Sequence, residues 1–259
     1  MDTIVYANQE KHVAWQGITL ADGKEFDNFM STDVYSRLND DNGKQAFATH
    51  LRSLATTGFD NKNLKLLLSS DTQEERDWAI GEALAEAFLS TRQNIIWPWN
   101  MERDKRTPLA SLPGADLVGF EVAHDSIRLV LGEVKTSGDK NTPPNVMTGR
   151  SGMHHQLDRL ANDLSLIVQL LRWLLPRCKG TEYETYFNSA VTLLLSTENK
   201  AIAFIGVLIR DTQPSERDLR ARGYYLSNQI NSPSSCKLIA LYVPCPISSL
   251  RGKTTGELS

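Results

Sequence analysis

Three residues near the middle of the 259-residue chain have the types and spacing of a phosphate-handling site. Asp116 follows Gly114-Ala115 at the mouth of one apolar run, and Glu133 and Lys135 flank Val134 inside the next. Side chains alternate across a strand, so Glu133 and Lys135 share one face and Val134 takes the other. A carboxylate and an ammonium on so apolar a strand are costly to bury without a partner or a purpose. If Asp116 faces Glu133 from the adjacent strand, two carboxylates converge beside a lysine. That grouping suits a hard divalent cation, Mg²⁺ with Mn²⁺ as substitute, because such ions take oxygen ligands and leave room for waters and substrate phosphate oxygens. The expected metal ligands are Asp116, Glu133, the Val134 carbonyl and a helical acid. That acid is Glu82 or Glu86, which are four apart and so share a helix face; Glu82, next to Gly81, is preferred. Bound metal would lower the pKa of a coordinated water and neutralise phosphate charge, while Lys135 orients that water or stabilises developing negative charge. Gln156, at the start of a later helix, would bring an amide to the same strand ends.

The surrounding pattern supplies elements to hold these residues. Ser70 and Asp71 offer N-caps before TQEERDWAIGEALAEAFLSTR, where Trp78, Ile80, Leu84, Ala87 and Phe88 fall at helical spacing. Asn94 to Trp99 reads as a short strand stopped by Pro98. The runs ADLVGFEV and IRLVLGEVKTS, separated by a turn at His124-Asp125-Ser126, read as a hairpin with one strand buried on both faces. The loop GDKNTPPNVMTGRSG precedes a long helix from about Met153 to Leu175, ended by Pro176. A further helix over Tyr183 to Ser196, a strand AIAFIGVLI, a helical turn in RDLRAR and a strand KLIALYVP complete the order. Helix, three strands, two helices and two more strands predict an α/β fold around a mixed central sheet. Residues 1–70 form an α+β region without evident chemistry: short β pieces at Thr3 to Tyr6 and His12 to Trp15, an acidic loop at Asp40 to Gly43, and a helix through Gln45 to Leu54.

Composition narrows the function classes. The chain is 41% apolar and 23% charged, which excludes a disordered protein, and 28 basic against 31 acidic residues leave a net charge of −3. That balance excludes a histone-like basic protein without excluding a locally basic site. Three widely spaced cysteines, Cys178, Cys236 and Cys245, indicate neither a disulfide framework nor a thiolate zinc site. The N-terminus carries early acids and no long apolar run, and no stretch approaches the roughly 20 apolar residues of a membrane helix. A cytoplasmic protein with no membrane segment is expected. His154 and His155 lack a second cluster at zinc spacing, and Trp97 and Trp99 read as core. A basic track for phosphate contact is available in Lys105, Arg106, Lys140, Arg150, Arg159, Arg217, Arg220 and Arg222.

GADLVGF followed by LGEVKTSG, with GEALAEAF on the preceding helix and HHQLDRL on the next, resembles the PD-(D/E)xK nuclease superfamily. Its motif is an Asp, then Glu-x-Lys on the adjacent strand, in an α-β-β-β-α-β core. The resemblance implies a restriction-endonuclease-like core over residues 71–259 and metal-dependent hydrolysis of DNA phosphodiesters. In it Asp116, Glu133 and Lys135 are the motif, Glu82 the helical acid and Gln156 the glutamine of the following helix. Ala115 stands where the motif has Pro, with Pro113 two positions earlier. A chain of this length with an unassigned N-terminal region also resembles the HamA family, nuclease subunits of the Hachiman anti-phage defence system. That likeness implies control by a helicase partner, with residues 1–70 as the place of contact or regulation. The readings that compete are a non-catalytic DNA- or partner-binding subunit on a nuclease fold, and a stand-alone restriction or junction-type endonuclease.

Overall fold

The computed structural model describes residues 2–69, 77–105, 114–123 and 126–255. Ser70, Asp71 and the first turn expected after them, together with Arg106, Pro113 and the His124-Asp125 turn, lie outside the described residues. One mixed sheet is built from β1 (Thr3–Glu10), β2 (Val13–Thr19), β3 (Ile95–Ile96), β4 (Leu117–Val122), β5 (Ile127–Ser137), β6 (Ile202–Arg210) and β7 (Ser235–Tyr242). The spatial order is β1-β2-β7-β6-β5-β4-β3, with β2, β7, β6 and β5 parallel and the outer pairs antiparallel. The helices are α1 (Lys24–Phe29), α2 (Tyr35–Leu38), α3 (Asp41–Leu54), α4 (Gly58–Ser69), α5 (Asp77–Gln93), α6 (Met153–Asn162), α7 (Leu164–Cys178), α8 (Glu184–Ser196), α9 (Arg220–Ser227) and α10 (Leu250–Thr254). The expected α/β architecture, a mixed sheet flanked by helices, is present.

Burial explains the central strands. All nine residues of β6 are buried, as a parallel strand covered on both faces requires. Glycines fix how closely the covering helices approach. A Cβ at Gly206 of β6 would lie 2.7 Å from Met153 Sδ and 3.1 Å from Leu157, so α6 seats directly on that face. On the opposite face, Gly81 of α5 packs on Thr136 of β5 and Ile209 of β6. Thr136 alternates with Glu133 and Lys135, so α5 and α6 cover opposite sides of β5.

Several local expectations are corrected. The first 70 residues do not stand apart: β2 pairs in parallel with β7 along Val13 to Thr19, so the N-terminal hairpin extends the same sheet that carries β5. The acidic loop is a helix start, because Asp40 accepts from the Gly43 amide at 3.2 Å and caps α3. The Met153 to Leu175 helix is two helices. Asp163 adopts an extended conformation between them and its carboxylate caps α7 through the amides of Ser165 and Leu166, at 3.0 and 3.1 Å. Pro176 sits inside the last turn of α7, which runs on to Cys178. The Asn94 to Trp99 strand shortens to β3, because the indoles of Trp97 and Trp99 turn inward and donate to the carbonyls of Glu86 and Val118, at 3.0 and 2.6 Å. The helix α4 carries no signal that periodicity would select. Neither α3 nor α4 buries a single residue, and Phe47, Leu54, Phe59, Leu66 and Leu67 stand 58% to 73% exposed on them.

Because α6 has no clearance over β6, Gly206→Ala is expected to destabilise the fold by about 1–3 kcal/mol through overpacking. Gly58→Ala, whose added methyl meets nothing within 4 Å, should change stability far less. Chemical denaturation of the two variants measures the difference.

Candidate functional site

The site forms where β4 begins beside β5. The ladder between these strands ends at Leu117 opposite Gly132, one residue after Asp116. There the Asp116 amide donates to the Gly132 carbonyl at 3.0 Å, and the carboxylate Oδ2 accepts the Val134 amide at 2.9 Å. Asp116 thus takes with its side chain the strand amide that lies just past the end of β4. A strand residue sends its N–H and C=O to the same side. The Val134 carbonyl therefore also points past the end of β4, toward Asp116.

Glu133 lies on the face covered by α6, paired in register with Gly206, and is only 3% exposed. The Lys135 ammonium donates to its Oε1 at 2.6 Å. The Gln156 amide nitrogen, in the orientation that satisfies its surroundings, donates to both oxygens of the same carboxylate. Burial and then the neighbouring negative charge of Asp116 push the Glu133 carboxyl up to about 8, against the opposing pull of Lys135. The structure therefore brings Asp116, Glu133, Lys135 and Gln156 together. Gln156 reaches Glu133 because Gly206 lets α6 rest on the sheet.

The helical acids separate into two roles. Glu86 is fully buried and bound by Arg37, whose Nε and Nη2 approach Oε2 at 2.8 and 2.7 Å. It is a structural ion pair linking α5 to α2. Glu82 is half-buried on α5, whose backbone covers the Thr136 face of β5. That face is the opposite one from the face carrying Glu133 and Lys135. Among the described residues no three His, Cys, Asp or Glu side chains form a metal-binding cluster. The oxygens that converge are the two carboxylates of Asp116 and Glu133, with the Val134 carbonyl on the same side. Two acids and a carbonyl fit a hard cation that retains several waters, and a buried carboxylate pair gains from having one.

A neighbouring polar group escaped the sequence reading. Along the same face, Ser137 of β5 lies beside Arg210 of β6, and Arg210 beside Tyr242 of β7. Arg210 and Asp218 are each 1% exposed. The guanidinium donates to Thr212 Oγ1 at 2.9 Å and to the Asn141 carbonyl at 3.2 Å, and Asp218 accepts from the Tyr242 hydroxyl at 2.9 Å. Arg210 thereby anchors the segment between β5 and α6. The amides of Asn141 and Asn145 fold that segment around Asp139 and hold its carboxyl below the usual range. The one available signal was a cation closing the apolar run AIAFIGVLIR.

The remaining expectations are resolved locally. Trp97 and Trp99 are core. The His154 ring leans on the Met147 carbonyl, at 3.2 Å, and on Tyr225. Among the described residues no helix is long and apolar enough to cross a membrane. In comparisons with known proteins, the chain matches no protein-family model, no curated protein and no solved structure. The case for a function therefore rests on the site's own chemistry.

The Glu133 carboxyl carries a pH signature. Its value in the fold, about 8, exceeds the ordinary 4.5, so the folded state binds more protons between those limits. Stability of the metal-free protein falls as pH rises through that window, and the contribution is fully present only below it. Glu133→Gln should flatten this slope in thermal melts run in chelator, with wild-type protein as reference. An unchanged slope would show that the carboxylate is not held in the buried, like-charged setting described here.

Proposed function

We propose that this protein is a Mg²⁺-dependent deoxyribonuclease with a restriction-endonuclease-like core, hydrolysing phosphodiester bonds in DNA. The observation that carries the proposal is the convergence of Asp116, Glu133 and Lys135 on one strand end, with Gln156 on the Glu133 carboxylate. The element order supports it: α5, then β3, β4 and β5, then α6 and, after α7 and α8, β6. That succession follows the α-β-β-β-α-β arrangement of the superfamily the motif resembles.

Asp116, Glu133 and the Val134 carbonyl would hold the cation, which supplies an acidified water and charge neutralisation at the phosphate. The residues around it have separable tasks. Gln156 fixes the rotation of the Glu133 carboxylate by donating to both oxygens. Asp116 is fixed by the Val134 amide, so its other oxygen is directed away from the ladder. The Lys135 ammonium sits at hydrogen-bond distance from Glu133, placed to hold an attacking water or to meet negative charge building on the phosphate oxygens. Arg210 keeps the β5–α6 segment, and so the start of α6, in position.

The second part of the proposal is control by a partner protein, a helicase-type ATPase in a defence complex. Its support is the α3–α4 pair, where two helices with no buried residue present five large apolar side chains. Isolated amphipathic helices gain most of their stability from packing their apolar face. A partner seated there would complete that packing.

Purified protein supplied with Mg²⁺ or Mn²⁺ should degrade DNA, and Glu133→Ala, Asp116→Ala or Lys135→Ala should each lower the rate by about 100-fold or more. Gln156→Ala should cost less. Activity unchanged in Glu133→Ala and Lys135→Ala would instead favour a non-catalytic binding subunit. Discrete cleavage products, in place of a smear, would favour a restriction or junction enzyme. Phe59→Glu with Leu66→Glu should leave cleavage by the isolated protein intact and abolish its response to the proposed helicase-type partner.

A further inference from the structure

The surface beside the candidate site carries exposed aromatic rings in a basic setting. Two residues before Gln156, the His154 ring meets Tyr225 of α9 edge to face, with centroids 5.4 Å apart and planes at 81°. Tyr224, the next residue back, leans on the buried Trp15 of β2 at 5.1 Å and 61°. Each tyrosine is thus braced from one side, yet Tyr224 is 51% and Tyr225 43% exposed. The braces are rigid elements: Trp15 is 2% exposed, and α9 comes so close to it that a Cβ on Gly223 would enter the indole.

Charge on α9 runs one way. The helix holds Arg220 and Arg222 and no acid, and Arg217 precedes it. The Arg220 side chain is about half exposed and lies 4.0 Å from Glu216, a contact at the edge of ion-pair range. On α6, Arg159 follows Gln156 by three residues with 62% of its side chain exposed and the Asp163 carboxylate 3.9 Å away, a contact as loose as that of Arg220.

We infer that α6 and α9 form a stacking platform for unpaired DNA, with the bases flanking the scissile phosphate resting on Tyr225, Tyr224 and the His154 ring. Duplex DNA hides its base faces within the helical stack, whereas a single strand offers each base as a flat apolar surface. Exposed aromatic rings held by a packed scaffold, bordered by arginines for the backbone, match that ligand. The link to the candidate site runs through α6, which carries the His154 ring on one side and, two residues on, sends Gln156 to Glu133 on another. This inference rests on the proposed nuclease reading and names its substrate class as single-stranded DNA or an unwound end.

The test separates the two. Binding of fluorescein-labelled oligothymidine is measured by anisotropy with the full chain in chelator, so that no cleavage occurs, and compared with a blunt duplex of equal length. The single strand should bind tighter, and Tyr225→Ala should weaken it by about 5- to 150-fold, the range expected for loss of one base stack. Tyr225→Phe should restore binding, since it keeps the ring and discards only the hydroxyl. Equal binding by wild type and Tyr225→Ala, or preference for the blunt duplex, would overturn the inference. Hydrolysis of bis(p-nitrophenyl) phosphate with Mn²⁺, compared between wild type and Glu133→Ala, reports on the nuclease reading alone because that ester needs no base stacking.

Discussion

The structure depends on keeping a carboxylate inside the sheet. Glu133 occupies a central strand whose neighbours on both sides are apolar, and burial, with the negative charge of Asp116 added to it, pushes its carboxyl up to about 8. A lone ionised acid in such a setting is strongly disfavoured. The carboxyl therefore holds its proton well above the ordinary range, and Lys135 and the Gln156 amide only partly offset the penalty on its charged form. These contacts require β4 to end at Leu117, α6 to lie flush on β6, and β5 to remain regular from Leu129 to Ser137. Functional sites store unfavourable electrostatics that the rest of the fold must offset.

The offset is visible in the elements that do no chemistry. Gly206 removes a side chain so that Met153 and Leu157 can sit on the sheet, and Gly81 does the same for α5 on the other face. Glu86 and Arg37 form a buried pair tying α5 to α2, so the N-terminal segment braces the helix behind the site. The same segment supplies β1 and β2, which bury Trp15 and lengthen the sheet on the side of β7. Two of its helices, α3 and α4, bury nothing and carry exposed apolar side chains. One stretch of about 70 residues thus serves two ends, part of it integral to the sheet and part projecting from it.

Position along β5 also orders the polar groups on its α6 face. Glu133 and Lys135 are followed by Ser137, beside which come Arg210 and then Tyr242 on the next two strands. Arg210 is wholly internal and holds the segment between β5 and α6. The aromatic platform on α9 lies beyond, reached through His154. The Glu133–Lys135 pair, the loop anchor and the exposed rings therefore share a single face of the sheet, served by α6 and α9.

Periodicity and residue type were enough to locate β4, β5, β6, β7, α5 and α8, and alternation alone put Glu133 and Lys135 on one face, because those signals are local. Residue type also drew attention to Asp116 and Gln156, but their closeness to Glu133 comes from strand pairing and from α6 seating on Gly206. What the sequence could not decide is whatever depends on strand partners and helix layers. The parallel seating of β2 on β7 joins residues more than 200 apart in the chain, and no local pattern records it. The break at Asp163 is a capping competition won by a side chain, inside a run whose apolar spacing continues unbroken. Glu82 and Glu86 lie one turn apart on one helix, and the sequence favours Glu82 only through its neighbour Gly81. Only the tertiary structure assigns Glu86 to Arg37 and sets α5 on the Thr136 face, because a helix's own period cannot say which side of a sheet it will cover.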